Sequence, residues 1–444
     1  MSELKKSDVF IAIATYLIVV FNCSVLSTRV QANCDSPSSR IIQDETEGDE
    51  AVARNARKRA RELGLQIGVL PTGRWNAITD VSGVQVGHAT LKNDQGLCTG
   101  VTVVVPHGGN VFQDKVPAGM IVGNGFGKFV GISQVQELGQ LETPIGLTNT
   151  LSTFAVADAL IRETLALEGN ETIRSVNPVV GECNDGYLND IRAMNVTAEH
   201  VREALQAAQG DAVPEGCVGA GTGTLCMGWK GGIGTSSRLL PDHLGGYTLG
   251  VLVQTNFGGI LNVAGAPVGQ ELGKYYLQRD VERTQRSQLN VYPSSLEPAS
   301  AQRLNASSIP DREWERGSCI VIVATDAPLD ARQLTRIAKR ALLGLGAVGS
   351  SMSHGSGDYV LAFSTPPGVR MDASSNELEE RRTLLRDDRL SPLFQATKEA
   401  VEEAVINSLF MATTTTGQDG RTVEAIPIDR VIEICRQHGV VAGE

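Results

Sequence analysis

The chain has 444 residues, 41% of them hydrophobic, which is enough for a substantial core in one large domain or in two or three smaller ones. A formal net charge of −11 and a pI near 5.2 exclude a nucleic-acid-binding protein, because that function needs a basic surface to displace counterions from phosphates. Glycine is abundant at 48 residues and aromatics make up only 5%, so many tight turns and close backbone contacts are expected, in a mixed α/β protein.

The N-terminus has its own character. Lys5 and Lys6 precede an apolar run over 9–26, and Ala32, with Val30 two places before it, ends an A-x-A-like cleavage site. This layout predicts a signal peptide over 1–32 and a secreted or periplasmic protein. An uncleaved membrane anchor over 9–26 is the rival, weakened by Thr15, Asn22 and Cys23 within the run. Removal would leave Cys34, Cys98, Cys183, Cys217, Cys226, Cys319 and Cys435, an odd, scattered set that reads as buried free thiols with at most one bridge. Asn170, Asn195 and Asn305 head N-x-S/T tripeptides, which matter only in a eukaryotic export pathway.

Residues 33–67 are polar and charged and are expected to form a flexible leader containing a short helix, with the body starting near Gly68 and running as one hydrolase domain over 68–444. Strand-like runs at 101–106, 119–127 and 247–259 alternate with Gly-rich turns. Between them, 153–167 predicts a helix with Phe154, Val156, Ala157, Leu160, Ile161 and Leu165 on its apolar face. The stretch 271–316 has no sustained period and reads as an exposed connection. Order returns with a β-branched strand at 319–325, a core-packing helix at 331–345, a second strand at 359–365 after a Gly/Ser turn, and a closing amphipathic helix. The Thr413 to Thr416 run reads as a surface turn.

Several chemistries lack their signatures. GNGFGK (123–128), GAGTGT (219–224) and GGIG (231–234) do not have the spacing of a phosphate-binding loop, so they read as close backbone packing. The histidines stand without paired ligand spacing, and no G-x-S-x-G is present. No metal or organic cofactor is expected.

The strongest feature is RGSCIVIVATDAPL (316–329). A serine directly after glycine, between a polar stretch and a buried strand, suits an N-to-O acyl shift in which the hydroxyl reaches the preceding carbonyl. After cleavage the serine carries its own base, an α-amine with an unperturbed pKa of about 8. By pattern alone, however, Gly317-Ser318 does no more than enter a strand.

Taken together, GSCIVIVATDAPL, GECNDGYLNDIR (181–192), KGGIGTSSR (230–238), LVQTNFGG (252–259), SHGSGDYVLAFST (353–365) and NAITDVSGVQVGHAT (76–90) resemble the family of L-aminopeptidase/D-esterases and β-peptidyl aminopeptidases, over about residues 68–410. The resemblance implies a four-layer α-β-β-α sandwich similar to N-terminal nucleophile hydrolases, cut by itself into an α fragment (68–317) and a β fragment (318–444). Function follows as a self-cleaving serine aminopeptidase acting on small peptides, amides or esters, assembled as a homo-oligomer, commonly a tetramer. Position by position it implies Ser318 as nucleophile, Gly317-Ser318 as the bond cut, Ser356 and Asp358 beside the nucleophile and its amine, Asn256 in the oxyanion hole and Glu182 at the substrate amine. Asp358 stands where the family often has Glu. Asn184 stands where it often has an oxyanion-holding Tyr, a role that Tyr187 is near enough to share. Read from the residues alone, Asp358 caps a turn, Asn256 sits in a positive-φ turn and Glu182 pairs with Arg192. An ornithine acetyltransferase-like N-acyl transferase with a threonine nucleophile, and a catalytically silent scaffold, are the competing functions.

Overall fold

A computed structural model describes residues 57–289 and 316–441. The signal segment, Cys34, Asn305, most of the polar leader and most of the 271–316 connection lie outside the described residues.

Among the described residues the first strands are a hairpin, β1 (Gln85–Lys92) and β2 (Cys98–Val105), followed by β3 (Asp114–Gly125), the short β4 (Phe129–Val130) and β5 (Ile145–Asn149). Helix α1 (Thr153–Leu165) crosses to β6 (Val179–Cys183), and α2 (Ala198–Gln206) leads to the hairpin of β7 (Ile233–Leu239) and β8 (Thr248–Asn256). Helix α3 (Gln278–Leu289) precedes β9 (Arg316–Thr325), α4 (Ala331–Ala347), β10 (Gly355–Ser364) and α5 (Ser391–Phe410). A small hairpin of β11 (Thr415–Thr416) and β12 (Thr422–Val423) and a helix α6 (Ile428–Gln437) complete it.

Apart from the separate β11–β12 hairpin, these strands make two sheets. One is five-stranded in the order β1-β2-β5-β6-β4; the other, seven-stranded, runs β7-β8-β9-β10-β3 with short additions at the β3 edge. Because side chains alternate faces along a strand, β9 feeds two cores. Ile320, Ile322 and Ala324 join Leu147, Val179 and Leu252 between the sheets. Cys319, Val321 and Val323 pack instead with Leu334, Ile337, Ala341, Val401 and Leu409 of α4 and α5. A third cluster holds Val156, Leu160, Val201 and Ala204 of α1 and α2 against the outer face of the five-stranded sheet. The result is the four-layer α-β-β-α sandwich that the motifs implied.

Local chemistry explains the element ends. The Asp330 carboxylate accepts the Gln333 N–H at 2.7 Å and the Gln333 side chain accepts the Asp330 N–H at 3.1 Å, a reciprocal cap that starts α4. A Cβ on Gly119 would lie 2.4 Å from the Thr335 nitrogen, so a bare backbone there lets α4 rest on β3.

Four expectations are corrected. The packed body already includes 57–67 and does not start near Gly68: Arg57 donates to the Phe410, Leu409 and Ile426 carbonyls, Arg61 pairs with buried Glu403 at 2.9 Å, and Ala60 and Leu65 are buried. The 271–316 stretch contains α3. Phe154 and Leu165 point outward on α1, which rests on the sheet through Val156, Ala157 and Leu160. Helix α5 is buried on nearly every side instead of being amphipathic, and α6 follows it.

Among the described residues, Cys98, Cys183, Cys226, Cys319 and Cys435 are buried free thiols and Cys217 is a half-buried one. Asn170 is buried, its amide donating to the Thr164 carbonyl at 2.6 Å, so the folded protein offers no glycan acceptor there. Asn195 is exposed.

Candidate active site

Ser318 lies near the start of β9, in the middle of the seven-stranded sheet. It pairs with Asn256 of antiparallel β8 on one side and with Gly357 of parallel β10 on the other. It shares parity with Ile320 and Ile322, so its side chain faces the gap between the sheets, where a cleft of about 1020 Å³ opens. Its hydroxyl donates to the carbonyl oxygen of Gly317 at 2.6 Å. Gly317 is glycine for want of space, since a Cβ would fall 2.7 Å from the Asn256 carbonyl and 2.9 Å from the Phe257 Cα. No left-handed backbone is needed there.

Gly317, Asn256, Glu182, Asn184 and Tyr187 line the same cleft as Ser318. Asn256 ends a strand instead of occupying a positive-φ turn. Its side-chain oxygen accepts the Leu225 N–H at 2.9 Å, which fixes the rotamer and leaves the amide N–H groups to point elsewhere. Leu225 is held in turn, because the ammonium of fully buried Lys230 binds the Thr224, Gly231 and Gly221 carbonyls at 2.8, 2.8 and 3.1 Å. The glycine-rich 219–224 segment supplies two of these carbonyls, and it also packs closely as its composition suggested, since a Cβ on Gly221 would lie 2.4 Å from the Ile233 nitrogen.

Glu182 is 3% exposed. Its carboxylate accepts the Lys128 N–H at 2.9 Å and the Thr150 hydroxyl, and Lys128 Nζ stands 3.7 Å away. Lys128, not Arg192, is its cation. Asn184 accepts the Gly186 N–H at 3.0 Å, keeping the loop after β6 tight.

Ser356 and Asp358 are placed differently. Residues 355–358 are not a turn but the first part of β10, and Asp358 pairs with Cys319 on the α4 face of the sheet, away from the Ser318 side chain. Ser356 donates to Asp358 Oδ1 at 2.9 Å, while Oδ2 is buried without a hydrogen-bond partner. Burial pushes the Asp358 carboxyl up to about 6 against the lowering effect of the Ser356 bond. Neither side chain lines the cleft in the uncut chain.

Sequence reasoning missed several cleft residues. Phe126, Lys128 and Thr150 form one wall, and His354 faces Phe126 with ring centroids 6.1 Å apart. Asn124 ties the wall to β10 by donating to the Ser353 and His354 carbonyls, both at 3.1 Å, and to that of Ser356. The GNGFGK string was their signal: Gly127 is bare because a Cβ would sit 3.2 Å from both Glu182 Oε1 and the Gly357 Cα.

A glycine-preceded serine in a central strand, facing a cleft that holds a fixed amide and a buried carboxylate, is an arrangement suited to amide-bond chemistry at a charged terminus. Residues 76–423 match the model of peptidase family S58. This chain belongs to that family. It is a hydrolase of the aminopeptidase type. It is 38% identical over 379 residues to the beta-peptidyl aminopeptidase BapA of Sphingosinicella microcystinivorans, covering 83% of this chain and 89% of that one. Among solved structures, the Burkholderia sp. beta-aminopeptidase aligns with a TM-score of 0.73 at 38% identity, over 87% of this chain and 100% of the other. The L-aminopeptidase D-ala-esterase/amidase of Ochrobactrum anthropi, described as a variant of the Ntn hydrolase fold, aligns at 0.72 and 34% identity, over 86% of this chain and 99% of its own. Family and relatives support the aminopeptidase reading over the acyl-transferase one, and the fold of these neighbours is the one described above.

Proposed function

We propose that this S58 peptidase matures by cutting its own Gly317-Ser318 bond and then removes N-terminal residues from short peptides, amides or esters, using Ser318 as nucleophile. The observation that carries this reading is the 2.6 Å approach of the Ser318 hydroxyl to the carbonyl oxygen of Gly317, in the lining of the cleft.

In maturation, Ser318 Oγ attacks the Gly317 carbonyl carbon. The C–N bond breaks, the nitrogen keeps the hydroxyl proton, and an ester joins Gly317 to Oγ. Water hydrolyses that ester, leaving a Gly317 carboxylate and a Ser318 that owns both hydroxyl and amine. The freed amine, with a pKa of about 8 before any perturbation, accepts the hydroxyl proton in turnover. Asn256, with Asn184 as second donor, holds the developing oxyanion. Glu182 takes the substrate ammonium, and Tyr187 walls the cleft. Asp358, one register step from Ser318 and backed by Ser356, balances the new ammonium.

The reading extends to export through the 1–32 segment, on the strength of Lys5, Lys6 and the 9–26 run. It also includes assembly of processed protomers into a homo-oligomer, on the strength of the family resemblance. Mass spectrometry of purified protein and a panel of p-nitroanilides test the chemistry: a fragment beginning at Ser318 and amine-dependent hydrolysis are expected. Ser318→Ala should remain one chain and inactive; efficient cutting at that bond in the variant overturns the mechanism.

A further inference from the structure

One charged side chain in the cleft has no part in the reading above. Arg421 lines it from the β11–β12 hairpin, an element built of the Thr-rich stretch that reads from sequence as a surface turn. The hairpin is fastened to the loop carrying Asn184 and Tyr187. The Gln418 N–H donates to the Leu188 carbonyl and its side-chain amide to that of Gly186, both at 2.6 Å. A Cβ on Gly417 would fall 2.0 Å from the Leu188 oxygen, so the two segments lie in direct backbone contact.

The guanidinium itself is placed but not used up. Arg421 Nη1 donates to the Tyr187 carbonyl at 3.2 Å, Nη2 reaches Asp419 Oδ2 at 3.0 Å, and the group stands 5.5 Å from the Tyr187 ring centroid. A guanidinium has about five N–H donors, so those two contacts leave most of them open. The Asp419 pair is exposed, with side-chain exposures of 41% and 71%, and such pairs hold weakly in water. The other cation among the described lining residues, Lys128, already faces Glu182, and Glu182 is the only carboxylate among them. A cleft with a carboxylate committed to one charge and a spare fork-shaped cation elsewhere on its wall matches a small zwitterion. Arg binds a carboxylate through two parallel N–H bonds, a match an amide terminus lacks.

We propose that Arg421 binds the free C-terminal carboxylate of dipeptide-sized substrates, so that the enzyme prefers short peptides with both termini free over their amides. The inference rests on the aminopeptidase reading with Glu182 at the amine.

The test uses the processed full-length protein, a dipeptide whose N-terminal residue is the one best released from p-nitroanilides, and the C-terminal amide of the same dipeptide. The wild type should favour the acid in kcat/KM by about tenfold, the typical worth of a hydrogen bond to a charged group. Arg421→Met should bring the acid-to-amide ratio close to one, and Arg421→Lys should leave it intermediate. A fragment beginning at Ser318 in each variant reports folding. If Arg421→Met does not fold, salt carries the test: the wild-type ratio should fall severalfold between about 0.02 and 0.5 M salt as the half-exposed cation is screened. A wild-type ratio near one, a ratio unchanged by Arg421→Met, or one indifferent to salt overturns the proposal while leaving the aminopeptidase intact. Failure to hydrolyse any p-nitroanilide sinks the underlying reading and this one with it.

Discussion

Asn256 stands directly across the β8–β9 ladder from Ser318, and its side-chain oxygen is occupied by the Leu225 N–H at 2.9 Å. The amide can present only donors to the cleft. A donor fixed before the reaction begins loses nothing to reorganisation when charge develops beside it, which is what an oxyanion site requires.

Replacing Asn256 with Ala should therefore lower kcat by about 10²- to 10³-fold with little change in KM. Steady-state kinetics on the processed variant check this. An equal rise in KM at unchanged kcat would assign Asn256 to substrate binding instead.

Glu182 predicts a different split. Its carboxylate is buried and held by the Lys128 N–H and the Thr150 hydroxyl, so Glu182→Gln keeps the shape and removes the charge. KM for substrates with a free amine should rise about tenfold or more, while the slow hydrolysis of N-acetylated analogues should hardly move. Equal losses on both substrates would contradict the assignment.

Asp358 gives a pH signature. Its carboxyl, normally near 3.8, is raised to about 6 in the fold, so between those values the folded chain holds a proton that the unfolded chain releases. Its contribution to stability is then fully present below about 3.8 and is lost as pH rises through about 6, a swing of about 3 kcal/mol. Asp185 and Glu215, both raised to about 7 by burial, act in the same direction. Thermal melts of uncut Ser318→Ala, with and without Asp358→Asn, isolate the Asp358 share: the melting temperature should drop between pH 4 and pH 6, and Asp358→Asn should flatten part of that drop. If the proposed cut frees the Ser318 amine, its ammonium should supply a counter-ion and the dependence should shrink.

Arg238 tests the join between the two halves. Fully buried, it reaches Glu403 at 2.8 Å and Glu399 at 3.2 Å, both on α5 beyond the proposed cut. Arg238→Met strands those carboxylates and should cost about 3–5 kcal/mol. Chemical denaturation reads this directly, and a loss under about 1 kcal/mol would show that Arg61 alone neutralises Glu403.

How much of this could be read from the sequence depends on where each residue's partners lie. Strand β9 and helix α4 were legible because their apolar periods are local, and the gathering of Ser318, Asn256 and Glu182 in one cleft because they sit inside continuous motifs. The segment around Arg57 and Arg61 was not. Arginines in a polar stretch spell solvent, and the Phe410 carbonyl and the Glu403 carboxylate that receive them lie more than 300 residues away. Residues 355–358 looked like a turn for their Gly and Ser content. They form a strand because β9 and β3 flank them and because Gly357 has the Phe126 carbonyl 2.9 Å from where a Cβ would be. Arg421 was hidden by the threonines before it, whose hairpin pairing no local pattern announces.

Strand β9 has β8 on one side and β10 on the other, and β10 in turn pairs with β3. A cut at Ser318 thus divides the ownership of one sheet: β3, β7 and β8 go to the first product, β9 and β10 to the second. Taken apart, each product would bare raw strand edges to its neighbours in solution. If the proposed cut is made, the two pieces are consequently not interchangeable parts that could be manufactured singly and mixed; the protein would have to be folded whole before it is nicked.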